Sequence, residues 1–246
     1  MCGRYAIAQG AGSALPGLFD DPGVLEPNYN VAPGSQIPLV VAADGAGPRR
    51  LETAHWGLVP AWKKDFNQRP RPINARLESV ATNGMFRNAF RQRRCILPAS
   101  GYYEWQETAG GKQPWFIHPG NGAALAFAGL YELWPDPGLP GDDPGRWRMT
   151  TVIITRRGVD AAGDIHDRMP ACLDPGSYAE WLGEGEMDGS GTAGDAGGET
   201  GRESLLASLA ASSATVAATL QAHPVSRRVG NVRNRGADLV EPVALP

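Results

Sequence analysis

Cysteine is scarce here: the 246 residues hold three, Cys2, Cys95 and Cys172. They are odd in number, far apart and without a CxxC or Cys/His pattern, which excludes a disulfide framework and a metal site of the usual ligand spacing. Long apolar runs are missing too. No stretch of about 18 apolar residues occurs, and no basic-then-apolar leader opens the chain. The expectation is a soluble, cytoplasmic protein without membrane contact, metal or cofactor. Hydrophobic residues make up 42% of the chain, enough for a substantial core.

Net charge is also nearly absent, at −3, which on average disfavours a nucleic-acid partner. The average hides an uneven distribution. Glu184, Glu186, Asp188, Asp195, Glu199 and Glu203 crowd into one segment. Residues 69–94 instead carry Arg69, Arg71, Arg76, Arg87, Arg91, Arg93 and Arg94 against Glu78 alone, and Arg227, Arg228, Arg233 and Arg235 form a second basic stretch. Arginine rather than lysine dominates both, which suits bidentate phosphate contacts. An arginine-rich solvated face without a ligand is the plainer alternative.

Short β-type runs recur at Ile37–Val41, Arg94–Leu97, Trp115–Ile117, Leu125–Tyr131 and Met149–Thr155, separated by Gly, Pro, Asn and Asp turns. Helical patterning is sparser. It is expected over Ser79–Phe90, over Pro175–Leu182 and over Glu203–Leu220, where Leu205, Leu206, Leu209 and Val216 supply the apolar positions. The fold class is therefore α+β, built around a curved, mainly antiparallel sheet with flanking helices. Residues 135–147 and 183–202 are rich in Gly, Pro and acidic residues and nearly free of apolar ones, so they read as mobile surface insertions in a single domain of residues 2–246.

Cys2 directly follows the initiator, and methionine is generally removed before a small second side chain. The expected mature terminus is a 1,2-aminothiol. Its amine has a pKa of about 8 and its thiol of about 8.5, and Arg4 lies close enough in sequence to favour the thiolate. Such a pair can attack an acyl carbon through sulfur with the amine as base, or condense with an aldehyde to a five-membered thiazolidine. By position alone, a small buried cysteine is the plainer reading.

Further motifs follow in order: Asn28–Gly34, Trp56–Trp62, Ile73-Asn74-Ala75-Arg76-Leu77-Glu78, Pro98–Trp105 and Asp164–Pro170. Each alone is weak. Asn74 could cap a helix, Glu104 could pair with an arginine, and His166 could be an ordinary loop histidine. Together with MCGRY at the start and the stretch 223–235 near the end, they closely resemble the SOS response-associated peptidase family, across nearly the whole chain except the two insertions.

The resemblance implies a pseudo-barrel with a basic groove leading to Cys2, and capture of abasic sites in single-stranded DNA, especially at fork-like junctions, by a covalent link through Cys2. It implies Cys2 as nucleophile, Asn74 as hydrogen-bonding partner of the sugar, and Glu104 and His166 as proton-transfer groups. Arg4, Arg76 and Arg168 hold phosphates and Trp62 stacks on a base in the same scheme. Proton transfer is chemically required, because an abasic sugar is mostly a closed hemiacetal and must open to its aldehyde; an imidazole with a pKa of about 6.5 suits that task. Two departures stand out: some relatives have a Trp pair where this chain has Ala61-Trp62, and an Arg at Gly84. Weaker base and phosphate contacts are expected there.

Three other activities fit parts of the pattern. An N-terminal-nucleophile amidohydrolase also starts with processed Cys-Gly, but nothing after residue 150 resembles an ammonia-consuming domain. A thiol peptidase could act first on Met1, alongside lyase-like chemistry on DNA. A passive single-strand binder would leave Cys2 without a role. The expected state is a monomer, nucleoid-associated when bound to DNA.

Overall fold

The structure is a computed structural model and describes residues 2–19, 25–43, 47–184 and 198–245. Its elements are β1 (Tyr5–Ile7), β2 (Asn28–Val31), β3 (Gln36–Val41), β4 (Arg50–Trp56), β5 (Asn74–Arg76), α1 (Arg87–Gln92), β6 (Arg94–Ala99), β7 (Gly101–Thr108), β8 (Gly111–Pro119), β9 (Leu125–Pro135), β10 (Trp147–Arg157), α2 (Asp160–Gly163), β11 (Arg168–Pro170), β12 (Cys172–Leu173), α3 (Tyr178–Leu182), α4 (Glu199–Ala217) and β13 (Leu220–Pro224).

The α+β expectation holds, and the curvature closes completely. Strands run β10–β4–β3–β6–β9, and β9 pairs with β10 again, making a five-stranded barrel in which only the β10–β4 pairing is parallel. Strand β10 has neighbours on both edges and burial on both faces. Its run Thr150–Ile154 is accordingly buried throughout, with no polar alternation. A second, antiparallel sheet has the order β13–β8–β7–β1–β2. Gly101 turns the chain from barrel strand β6 into β7 of this sheet. A Cβ there would collide with the Phe116 ring and stand 2.7 Å from the Ile117 carbonyl oxygen, so only glycine lets β7 lie against β8.

One apolar cluster joins Tyr5, Tyr102 and Ile117 of the second sheet to Leu39, Ala54, Leu97, Phe127 and Ile153 of the barrel, and Cys2 belongs to it. Tyr5 packs edge-on against Trp56 and Phe127 at centroid distances of 5.4 and 5.8 Å. Full burial of each such side chain contributes about 1.5–3 kcal/mol, so β1 is anchored firmly enough to hold the adjacent terminus in place. On the barrel's outer side, Val40, Ile96, Leu130, Val152 and Ile154 pack with Phe90, Trp181, Leu205 and Leu209 of the helices.

The helices depart from expectation in extent. Residues 77–86 run through turns, and α1 begins only at Arg87. The side chain of Asn83 accepts from the Met85 amide at 2.9 Å, a local bond that competes with helix at that point. Helix α4 starts at Glu199, inside the proposed acidic insertion, of which residues 185–197 lie outside the described residues. The other proposed insertion, 135–147, is the turn of the β9–β10 hairpin: Pro135 pairs with Trp147, and Asp136 and Asp143 bond the amides of Gly138 and Gly145. These bonds shape the turn locally.

Candidate active site

Four groups from distant segments converge. Cys2 precedes β1 and is fully buried. Asn74 opens β5, which pairs in parallel with β10 at Ile153. Its Nδ2 donates to the Cys2 carbonyl at 2.9 Å, while its Oδ1 is buried without a hydrogen-bond partner among the described residues. That bond fixes which way the amide points. Glu104 on β7 is buried, 3% exposed, and its Oε2 lies 3.9 Å from His166 Nε2.

The ring of His166 is set from its other side. The backbone amide of Arg168 donates to Nδ1 at 3.0 Å, which leaves the proton of the neutral imidazole on Nε2, toward Glu104. Asp167 Oδ1 also lies 2.8 Å from Nδ1 and favours the opposite assignment. The two contacts thus compete for Nδ1, one from the fixed backbone and one from a side chain that is 85% exposed.

The electrostatics follow from burial. Desolvation raises the Cys2 thiol well above its usual range, and the charge of Glu104 raises it further. Both effects favour the protonated thiol and oppose the pull toward thiolate expected from Arg4. Burial also raises Glu104, and the nearby His166 pulls it partly back. A carboxyl group shifted up toward neutrality, beside a protonated thiol and an imidazole, can pass protons in both directions. Glu104 and His166 line a cleft of about 390 Å³ with Trp105, Lys112 and Gly230. A second cavity of about 390 Å³ beside β2 and β3, lined by Glu26, Gln36 and Arg235 among others, contains none of the four groups.

Arg4 lies in the same region, its backbone carbonyl bonded to the Tyr103 amide of β7 at 2.9 Å. Its Nη1 donates to Asn30 Oδ1 at 2.7 Å and to the Val229 carbonyl at 2.9 Å, and its guanidinium lies 5.9 Å over the Trp105 ring. Arg168 is clamped by both carboxylate oxygens of Glu78, at 2.7 and 3.0 Å, and by the Thr155 carbonyl at 2.6 Å. Arg76 is exposed on β5, two residues after Asn74. Trp62 stands apart, 67% exposed on the loop between β4 and β5.

The arginines of residues 69–94 do not share one environment. Arg94 is buried and donates to the carbonyls of Phe90, Arg91 and Trp181; Arg93 pairs with Glu132; Arg71 lies over the Phe66 ring. Asn30 joins the site as well. This buried amide receives Arg4 and donates to the carbonyls of Val229, Asn231 and Asn234, joining the C-terminal segment to the site. An asparagine inside the quoted stretch Asn28–Gly34, at a strand position, was the available signal.

A model of the SOS response associated peptidase (SRAP) family matches residues 1–232. The chain belongs to the SRAP family. Among its relatives, the abasic site processing protein YedK of Escherichia coli (strain K12) is 34% identical over 99% of this chain and 100% of that protein. The abasic site processing protein HMCES of Gallus gallus is 30% identical over 100% of this chain and 79% of its own length. A solved structure from Bacteroides thetaiotaomicron superposes with a TM-score of 0.73 over 99% of this SRAP chain and 100% of that one, at 20% identity, which shows a shared fold. Among the described residues, no group of three or more His, Cys, Asp or Glu side chains could hold a metal, and no helix is long and apolar enough to cross a membrane.

Proposed function

We propose that this protein senses abasic sites in single-stranded DNA, particularly at fork-like junctions, and shields them by a covalent link through Cys2. The reading rests on one observation above all: Cys2, Asn74, Glu104 and His166, from four separate segments, meet beside an open cleft. Relatives that carry the name abasic site processing protein support it. Residues 2–246 act as one domain and as a monomer in the cytoplasm, on the nucleoid when DNA-bound.

The chemistry starts with hydrolysis of the Met1–Cys2 peptide bond, for which Cys2 itself is the candidate thiol nucleophile: sulfur takes the methionyl group from nitrogen, and one water then releases Met1 and frees the thiol beside the new amine. His166 and Glu104 move the protons that open the sugar hemiacetal to its aldehyde. The Cys2 amine adds to the aldehyde carbon, and the carbinolamine loses water to give an iminium. Cys2 sulfur then adds to that carbon, its proton passing to Glu104, and the ring closes. Aldehyde plus aminothiol thus gives thiazolidine plus one water, with no oxidant or cofactor needed. The buried Oδ1 of Asn74 offers an acceptor to the carbinolamine hydroxyl or the amine proton. Arg4, Arg76 and Arg168 hold phosphates, and Trp62 stacks on a base.

Intact-mass measurement after incubation with abasic single-stranded DNA tests this directly. The expected result is loss of Met1 and a stoichiometric adduct one water lighter than the sum of protein and DNA, with only a labile imine in Cys2→Ser or Cys2→Ala. A stable adduct of full yield in Cys2→Ala excludes the thiazolidine. Binding without any adduct in the wild-type chain reduces the protein to a passive single-strand binder.

A further inference from the structure

Strand β10 pairs first with β4, at His55 and Trp56, and then with β5, from Asn74 onward. Between these pairings residues 57–73 leave the barrel and return, without helix or strand, carrying Trp62. The neck of this loop is closed by hydrogen bonds. Leu58 N donates to the Pro72 carbonyl at 2.9 Å, and Val59 N donates to Thr150 Oγ1 at 3.0 Å.

A loop of this length would ordinarily sample many conformations. Two side chains prevent it. Phe66 is caged by the rings of His55 and Trp134, at centroid distances of 5.2 and 5.3 Å, and by the guanidinium groups of Arg71 and Arg148, at 5.7 and 5.1 Å. The second is Lys63, a lysine only 6% exposed. Its ammonium donates to the Gln68 carbonyl at 2.8 Å and to the Pro70 carbonyl. Its own carbonyl accepts from Trp134 Nε1 at 2.8 Å. No carboxylate pairs with Lys63 among the described residues, so its part-buried ammonium is met by carbonyl dipoles.

We propose that Lys63 is a positioning residue for Trp62: its ammonium ties the near and far sides of the loop, holding the adjacent indole outward as a ready stacking platform for an unpaired base. Binding then costs little ordering of the loop, because the order is already present in the free protein. The inference rests on the reading of single-stranded DNA as the ligand and adds the element that presents it.

The test uses the full chain and a fluorescent single-stranded oligonucleotide carrying one abasic site. Lys63→Met keeps the stem and removes the ammonium. We expect half-saturation to need about tenfold more DNA, with an unchanged rate of adduct formation at saturating DNA. Lys63→Arg restores most of the affinity. In a Trp62→Ala background, Lys63→Met has little further effect, as coupling between the two sites requires. Amide hydrogen exchange in Lys63→Met accelerates over residues 57–73 and not in β9 or β10.

Wild-type affinity in Lys63→Met overturns the proposal, as does an undiminished loss of affinity in the Trp62→Ala background. Global unfolding of both Lys63→Met and Lys63→Gln makes Lys63 a stability residue and also overturns it. If Trp62→Ala binds as tightly as wild type while still forming adduct, this inference fails and the covalent reading stands; absence of adduct in the wild-type chain defeats the covalent reading instead.

Discussion

Glu104 combines a functional position with an unfavourable environment. Its carboxyl is buried and its proton affinity raised, so in the folded protein it ionises at higher pH than in the unfolded chain. Below the unfolded-state pKa of about 4.3 both states are protonated and burial of this group carries no ionisation penalty. As pH rises through the window between unfolded and folded pKa, the unfolded chain ionises first and stability falls; above it the loss is constant. Glu104→Gln escapes that loss. We expect its Tm to match wild type near pH 4 and to exceed it by a few degrees near pH 7, while adduct formation and reversal both slow by about 10²-fold or more, since a proton carrier serves both directions. Thermal melts across pH, beside timed adduct formation and release, check both halves. Equal Tm at all pH values contradicts the raised carboxyl, and unchanged rates make Glu104 structural. Cys2 shows the same tension, for its burial holds the thiol protonated and leaves Glu104 as the neighbouring group placed to take the proton.

At the level of elements, α1 shows where an arginine can mislead. Arg94 opens β6 and its Nη1 donates at 2.9 Å to both the Phe90 and Arg91 carbonyls near the C-terminal end of α1, while its Nε reaches the Trp181 carbonyl of α3. It staples two helices to the barrel. Arg94→Met removes three hydrogen bonds to carbonyls of the helices and is expected to cost about 3 kcal/mol in urea denaturation, with the salt dependence of DNA binding unaltered. A destabilisation below about 0.5 kcal/mol contradicts the stapling role. Strands were legible because runs such as Val152-Ile153-Ile154 signal burial locally. Helix bounds were less so, since the Asn83 side-chain bond and the buried Ser212 and Ser213 of α4, which bond the backbone of Asp174 and Cys172, depend on neighbours that periodicity does not contain. The site was legible only as an ordered set of motifs. Asn30 stayed hidden because the carbonyls it donates to lie about two hundred positions away, and Lys63 because a lysine in a loop normally reads as solvated.

The whole molecule carries a net charge of −3, yet it has two arginine-rich stretches, and the structure divides their cations into two kinds. Arg94 and Arg93 are held by carbonyls or a carboxylate, whereas Arg76, Arg233 and Arg235 are exposed. Only a cation that exchanges water for phosphate releases counterions from DNA, so the salt dependence of binding counts the second kind and ignores the first. For a single strand the slope of log K against log salt is about −0.7 per phosphate neutralised. Arg76 lies two residues from Asn74 on β5 and so next to the proposed lesion. Arg76→Gln should make the slope shallower by about 0.7 without moving Tm, whereas Arg94→Met should lower stability and leave the slope alone. Intact duplex should bind more weakly than single strand, because Trp62 requires an unstacked base. Titrations of single-stranded and duplex oligonucleotides at several salt concentrations measure all of this together. An unchanged slope in Arg76→Gln, or equal affinity for duplex and single strand, means that the DNA track runs elsewhere on the surface.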